Sequence, residues 1–147
     1  LEYLSLDKNF VIERNKRSAY SAKIRILENY INNPDSENIR FLLEIENTGE
    51  EPWIKISEET GNKDWIRAGC RVYPAKSGGS LFELRQELPR DIRKGEKFNT
   101  EFIIDRKKLP VRGLCRLKFD MVSEGKFWFE DFKSKPFIEY VDLKTTR

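Results

Sequence analysis

The feature that most constrains this chain is a strict alternation of apolar and polar residues, repeated in segment after segment from Ala19 onward. Ala22, Ile24 and Ile26 alternate with Lys23 and Arg25. Ile39, Phe41, Leu43 and Ile45 are interleaved with Arg40, Glu44 and Glu46. Ile66, Ala68, Cys70 and Val72 take one side of a third segment, with Arg67, Arg71 and Tyr73 on the other. Phe98, Thr100, Phe102 and Ile104 continue the pattern, as do Cys115, Leu117, Phe119 and Met121 against Arg116, Lys118 and Asp120. A period of two sends successive side chains to opposite faces of an extended chain, so each segment is expected to be a half-buried strand. Shorter strands are expected over 81–87, 126–132 and 137–141.

Turn chemistry separates these segments. Asn32-Asn33-Pro34-Asp35-Ser36, Ser77-Gly78-Gly79 and Ser123-Glu124-Gly125 are turn clusters, and Pro110 and Gly113 bracket another. Asn47-Thr48-Gly49 ends the second strand, where Asn and Gly tolerate positive φ. Seven or eight short strands without helical periodicity predict an all-β, two-sheet antiparallel sandwich, Ig-like or jelly-roll-like. One such domain fills 19–147, with 1–18 as a linker or extension from a preceding domain. Its expected core is Ile24, Ile26, Phe41, Leu43, Ile45, Cys70, Val72, Phe102, Ile104, Cys115, Leu117 and Phe119.

Charge and special residues narrow the function. The 28 basic and 25 acidic side chains are interleaved, for a net charge of +3, without the basic run or stripe of a nucleic-acid binder. No apolar run approaches the ~20 residues of a membrane span. The chain opens at Leu1 with neither Met nor a signal peptide, which predicts a piece of a longer protein. Cys70 and Cys115 occupy apolar positions of different strands. Two cysteines are too few for a disulfide framework or a zinc site, so buried free thiols in a cytoplasmic protein are expected. There is no histidine, which removes the usual general base near neutral pH and the commonest metal ligand. Gly78-Gly79 lacks the spacing and the following helix of a phosphate loop. Neither cysteine has a partner that would activate it. Surface carboxylate pairs are the one remaining catalytic option. The expectation is therefore a non-catalytic domain with no cofactor and no metal.

One strand carries a candidate site. Alternation places Trp65, Arg67, Arg71 and Tyr73 on the face opposite Ile66, Cys70 and Val72, and Glu83 and Arg85 extend that row if the next strand pairs alongside. Sugars are held by aromatic faces against their C–H surfaces and by planar polar groups that satisfy hydroxyls. The alternative is that Trp65 and Tyr73 cover an edge of the core while the arginines form surface ion pairs. Trp128 and Phe129 straddle both faces of a strand, so one must point away from the core. Trp128 is then a ligand platform, a dimer contact or part of a second small core. Trp53, just after a proline, is expected to plug one end of the sandwich. Gly69, within a strand, predicts a bulge or a close backbone approach. Asp120 and Glu124 flank a hairpin, where turn chemistry accounts for them.

The second half of the chain has a recognisable order of motifs. Glu46-Asn47-Thr48-Gly49 and Pro52-Trp53 precede a strand holding Gly69 and Arg71. Leu88-Pro89-Arg90-Asp91-Ile92 and Lys94-Gly95-Glu96 come next. Then come Pro110, Gly113 and Leu117-Lys118-Phe119-Asp120-Met121-Val122-Ser123-Glu124-Gly125, with Trp128-Phe129 after them. Over 19–143, and most specifically over 119–129, this order resembles Ig-like sandwich domains of bacterial surface-polysaccharide proteins. Within that group it resembles the C-terminal carbohydrate-binding domain of the ATPase subunit of O-antigen ABC transporters. The resemblance implies recognition of the end of a lipid-linked polysaccharide before export. It also implies a parent ATPase domain and a membrane transporter subunit as partners, a homodimer, and a cytoplasmic location at the inner membrane. Many such domains carry a Thr-Asn-Thr-like element where this chain has 67–79. Its absence leaves open an accessory interaction or dimerisation domain of a glycosyltransferase or methyltransferase of polysaccharide synthesis.

Overall fold

The computed structural model describes residues 19–30, 37–56, 64–74, 78–109 and 113–142. The expected linker over 1–18 and the turn residues 32–36, Ser77 and Pro110 lie outside the described residues. Eight strands follow in order: β1 (Ala22–Tyr30), β2 (Asn38–Asn47), β3 (Ile66–Pro74), β4 (Phe82–Gln86), β5 (Lys97–Asp105), β6 (Leu114–Ser123), β7 (Phe127–Trp128) and β8 (Phe137–Asp142). They form two antiparallel sheets, β1-β2-β5 and β4-β3-β6, with β7 and β8 both paired to β6. The protein is an all-β sandwich.

Alternation builds the core directly. Phe119 on β6 meets Phe41 on β2 and Phe102 on β5, with ring centroids 5.3 and 5.4 Å apart, so aromatic rings join the two sheets. Cys70, Val72, Ile104, Cys115 and Leu117 are also buried there. Trp53 is fully buried, its backbone pairs with Ile92, and its ring meets Phe98 and Phe129 edge-on. Ile24 and Ile26 are a correction to the expected core: they are only partly buried. Their strand, β1, loses continuous pairing to β2 at a register shift between Ile26 and Glu28, whereas β5, the other edge of the sheet, pairs without interruption and keeps Phe98, Phe102 and Ile104 buried.

Three local expectations change for physical reasons. The strand expected over 126–132 is two residues of β7 followed by a 3-10 turn, Phe129–Phe132. Asp131 accepts from the Trp128 backbone N–H at 2.9 Å and Asp120 accepts from that of Glu130 at 2.9 Å, and these bonds replace a ladder. Gly49 does not have the positive φ expected of it. It is required by packing, because a Cβ there would sit 2.2 Å from the Ala19 carbonyl oxygen. Asn47 beside it is buried. It donates to the Glu51 and Ile92 carbonyls and accepts from the Gly49 N–H, so the motif is a knot of satisfied backbone groups. Gly69 is neither in a bulge nor approached by backbone, since β3 keeps continuous register with both neighbours.

Candidate functional site

The outer face of the larger sheet collects the predicted site residues. Pairing of β3 with β4 sets Arg71 opposite Glu83 and Gly69 opposite Arg85, as the sequence requires if Glu83 and Arg85 are to extend the row. From the other side β6 contributes Arg116, Lys118, Asp120 and Val122, registered with Tyr73, Arg71, Gly69 and Arg67. Trp128 reaches in from β7, which pairs with β6 at Val122.

Its indole lies against Gly69: a Cβ built there would be 2.6 Å from Cη2 and 2.7 Å from Cζ3. Glycine is what leaves room for the ring. The Arg71 and Arg85 guanidinium carbons lie 3.8 and 4.7 Å from the indole centroid. Val122 is buried on the same face and Phe129, next in sequence, turns into the main core. Trp128 is thus part of a second small core, held by two cations, and still half-exposed.

Carboxylates organise the arginines. Glu124 joins Arg67 (2.7 Å) to Arg85 (2.8 Å), and Glu130 joins Arg71 (2.7 Å) to Lys118 (3.2 Å). Arg67 also reaches Glu87 at 3.1 Å, and Arg85 reaches Glu83 at 2.7 Å. Trp65, 40% exposed, donates from Nε1 to Glu87 and carries the Arg67 guanidinium 4.0 Å above its ring. Burial opposes ionisation of Glu124, but the hydrogen bonds from Arg85 and Arg67 outweigh it and hold the carboxyl below its usual range. Glu130 is lowered in the same way, burial being overcome by Arg71 and Lys118. Trp65, Arg67, Glu83, Arg85, Arg71 and Trp128 therefore form one continuous ionic and aromatic layer. Tyr73 lies apart, beyond Arg71, against Arg116 and Lys118.

Sequence reasoning missed the acids that make this layer. Glu124, assigned to turn chemistry, is its main clamp, and Glu87 and Glu130 were not singled out. The period-two series Arg116, Lys118, Asp120, Val122, Glu124 was a usable signal, since it continues the outward face of β6 to the hairpin. Asp120 is buried and accepts from its neighbour Met121 N–H and from Glu130 N–H, both at 2.9 Å. Burial pushes its carboxyl up to about 7, against the pull of those two hydrogen bonds.

Beside the indole a surface cleft of ≈ 300 Å³ is lined by Arg85, Val122, Glu124, Lys126, Trp128 and Asp131, among others. Its lining includes an aromatic ring, carboxylates and a lysine. An aromatic ring and carboxylates of this kind can stack on and hydrogen-bond a polyhydroxylated ring.

No protein-family model matches this chain, and no curated protein matches it in sequence. Among solved structures, the β-glucosidase from Listeria innocua in complex with glucose aligns over 83% of this chain and 16% of its own, at 9% identity and TM-score 0.47. The β-glucosidase from Kluyveromyces marxianus aligns over 84% of this chain and 14% of its own, at 8% identity and TM-score 0.44. The Bacteroides uniformis β-glucuronidase aligns over 86% and 13%, at 12% identity and TM-score 0.43. The chain thus spans 16% or less of the length of each of these enzymes.

Proposed function

We propose that this chain is a non-catalytic carbohydrate-binding domain that works at the outer face of its larger sheet. The observation that carries the reading is the rigidly held Trp128 indole beside a cleft walled by Arg85, Glu124, Lys126 and Asp131. Stacking on a preorganised ring loses little conformational entropy, and the flanking carboxylates accept from sugar hydroxyls. Arg67, Arg71 and Arg85 each have at least one guanidinium nitrogen held by Glu83, Glu87, Glu124 or Glu130. These arginines therefore brace the site, while the indole and the acids meet the ligand. The absence of histidine supports a binding role over a catalytic one.

The finer reading comes from the sequence resemblance. The ligand is the end of a lipid-linked O-antigen polysaccharide, bound at the cytoplasmic side of the inner membrane. The domain then belongs to a dimeric exporter, with a parent ATPase domain and a membrane transporter subunit as partners. Each contact contributes about 1–3 kcal/mol at best, so a short oligosaccharide should bind in the micromolar to millimolar range. Two copies in an exporter would raise the apparent affinity. The test is a calorimetric titration of wild type, W128A and R71A with O-antigen oligosaccharides and with an unrelated neutral glucan. W128A is expected to weaken binding at least tenfold, and R71A, which braces the indole, by less. A folded W128A that binds as wild type would sink the reading, and equal binding of every glycan would sink the O-antigen assignment alone.

A further inference from the structure

We infer that Arg116 is the centre of a second binding site on the same sheet face, for a carboxylate or phosphate carried on a sugar ring. The inference rests on the carbohydrate reading for the ring but on its own observation for the anion. Arg67, Arg71, Arg85 and Lys118 on this face each pair with a glutamate. Among the described residues Arg116 has no carboxylate partner. Its guanidinium lies 4.6 Å from the Tyr73 ring centroid, and its buried Nε has no hydrogen-bond acceptor. The Nε atoms of Arg67 and Arg71 share that condition, but their terminal nitrogens are held by glutamates at 2.7 Å.

A half-buried guanidinium keeps the desolvation cost of its charge until an acceptor arrives. A carboxylate or phosphate meets its fork with paired, charge-assisted hydrogen bonds. The surroundings fit an anion on a ring. Sheet register sets Arg116 between Tyr73 on β3 and Tyr140 on β8, and Tyr140 is 53% exposed. Leu114 and Ile138, both exposed, lie on the same face and offer apolar surface to pyranose C–H groups. Lys118 approaches the same Tyr73 ring at 5.7 Å and adds positive field. Of the carboxylates on adjoining outward positions, Glu130 is taken by Arg71 and Lys118, and Asp142 stands across from Leu114, one row beyond Arg116.

The test titrates the whole chain at low salt with four probes: a uronic-acid oligosaccharide, its neutral counterpart, a sugar phosphate and inorganic phosphate. Wild type should bind an acidic sugar about tenfold more tightly than the neutral one, with the difference shrinking as salt rises. A preference for the uronate identifies a carboxylate ligand, and one for the sugar phosphate identifies a phosphate. R116Q should abolish the acid preference. If R116Q does not fold, R116K, which keeps the charge and loses the fork, carries the test. An undiminished preference in either folded variant overturns the site. Equal binding of acidic and neutral sugars overturns it while leaving the Trp128 cleft intact, and no binding of any sugar overturns both. Inorganic phosphate binding as tightly as the sugar phosphate overturns the role given to the tyrosine rings.

Discussion

Gly69 and Trp128 are one structural feature contributed by two strands. The indole occupies the space a β-carbon would take, with Cη2 2.6 Å from that position. Gly69→Ala should therefore displace the ring and cost about 1–3 kcal/mol by overpacking. In a W128A background the same change should cost much less, and a double-mutant cycle by chemical denaturation measures that coupling. Additive effects would mean that the ring does not depend on the glycine. Asp120 sets a second residue-scale expectation. Its carboxyl ionises near 7 in the folded protein, well above the ordinary value of 3.8, so the folded state binds the proton more tightly than the unfolded state. The sign follows: this contribution to stability is full below about pH 4 and is lost as pH rises through about 7, on the order of a few kcal/mol. Glu124 and Glu130 have the opposite sign, because their lowered values add stability above the ordinary carboxylate range that is lost on acidification. Stability should thus peak at about pH 5 and decline toward neutrality. Denaturant midpoints across that range check it, and Asp120→Asn should flatten the decline.

At the scale of elements, β6 is the strand on which the molecule depends. It pairs with β3 along one edge and with β7 and β8 along the other, and its inward side chains fill the interior between the sheets. Leu117→Ala should cost about 2–5 kcal/mol, since the site is fully enclosed and cannot collapse onto solvent. Ile24→Ala, on the edge strand β1, should cost only about 1–2 kcal/mol, because part of that side chain already meets water. Thermal melts of the two variants compare them directly, and equal losses would contradict the partial burial of Ile24. The contrast was partly legible in the sequence. Alternation identified both strands with the correct face inward, but it carries no information on where pairing breaks, as it does in β1 between Ile26 and Glu28. The same limit explains the 126–132 segment. Its aromatic residues suit a strand, yet Asp120, on β6, and Asp131 capture the backbone N–H groups of Glu130 and Trp128 and curl the chain after two residues.

For the whole molecule, the two sheets bury both thiols. Burial raises the Cys70 thiol far above its ordinary range, with Arg71 and Arg85 pulling weakly the other way, and burial raises Cys115 as well. Both should react slowly with thiol reagents in the native protein and be counted as two after denaturation without reductant. A count of zero would overturn the free-thiol assignment. Sequence alone determined the class of fold, the strands and most of the core, because a period of two is written locally and burial follows it. It also determined which side chains face outward on β3. Tertiary structure alone decided what those outward groups do. Whether Arg67, Arg71 and Arg85 meet solvent, sugar or glutamate depends on acids 20 to 59 positions away for Arg67, Arg71 and the Glu124 bridge to Arg85. Only the pairing of β3 with β4 and β6 brings those acids within reach. The indole of Trp128 above Gly69 and the unpaired Arg116 between two tyrosines arise for the same reason: register across strands juxtaposes residues whose spacing along the chain carries no trace of the contact.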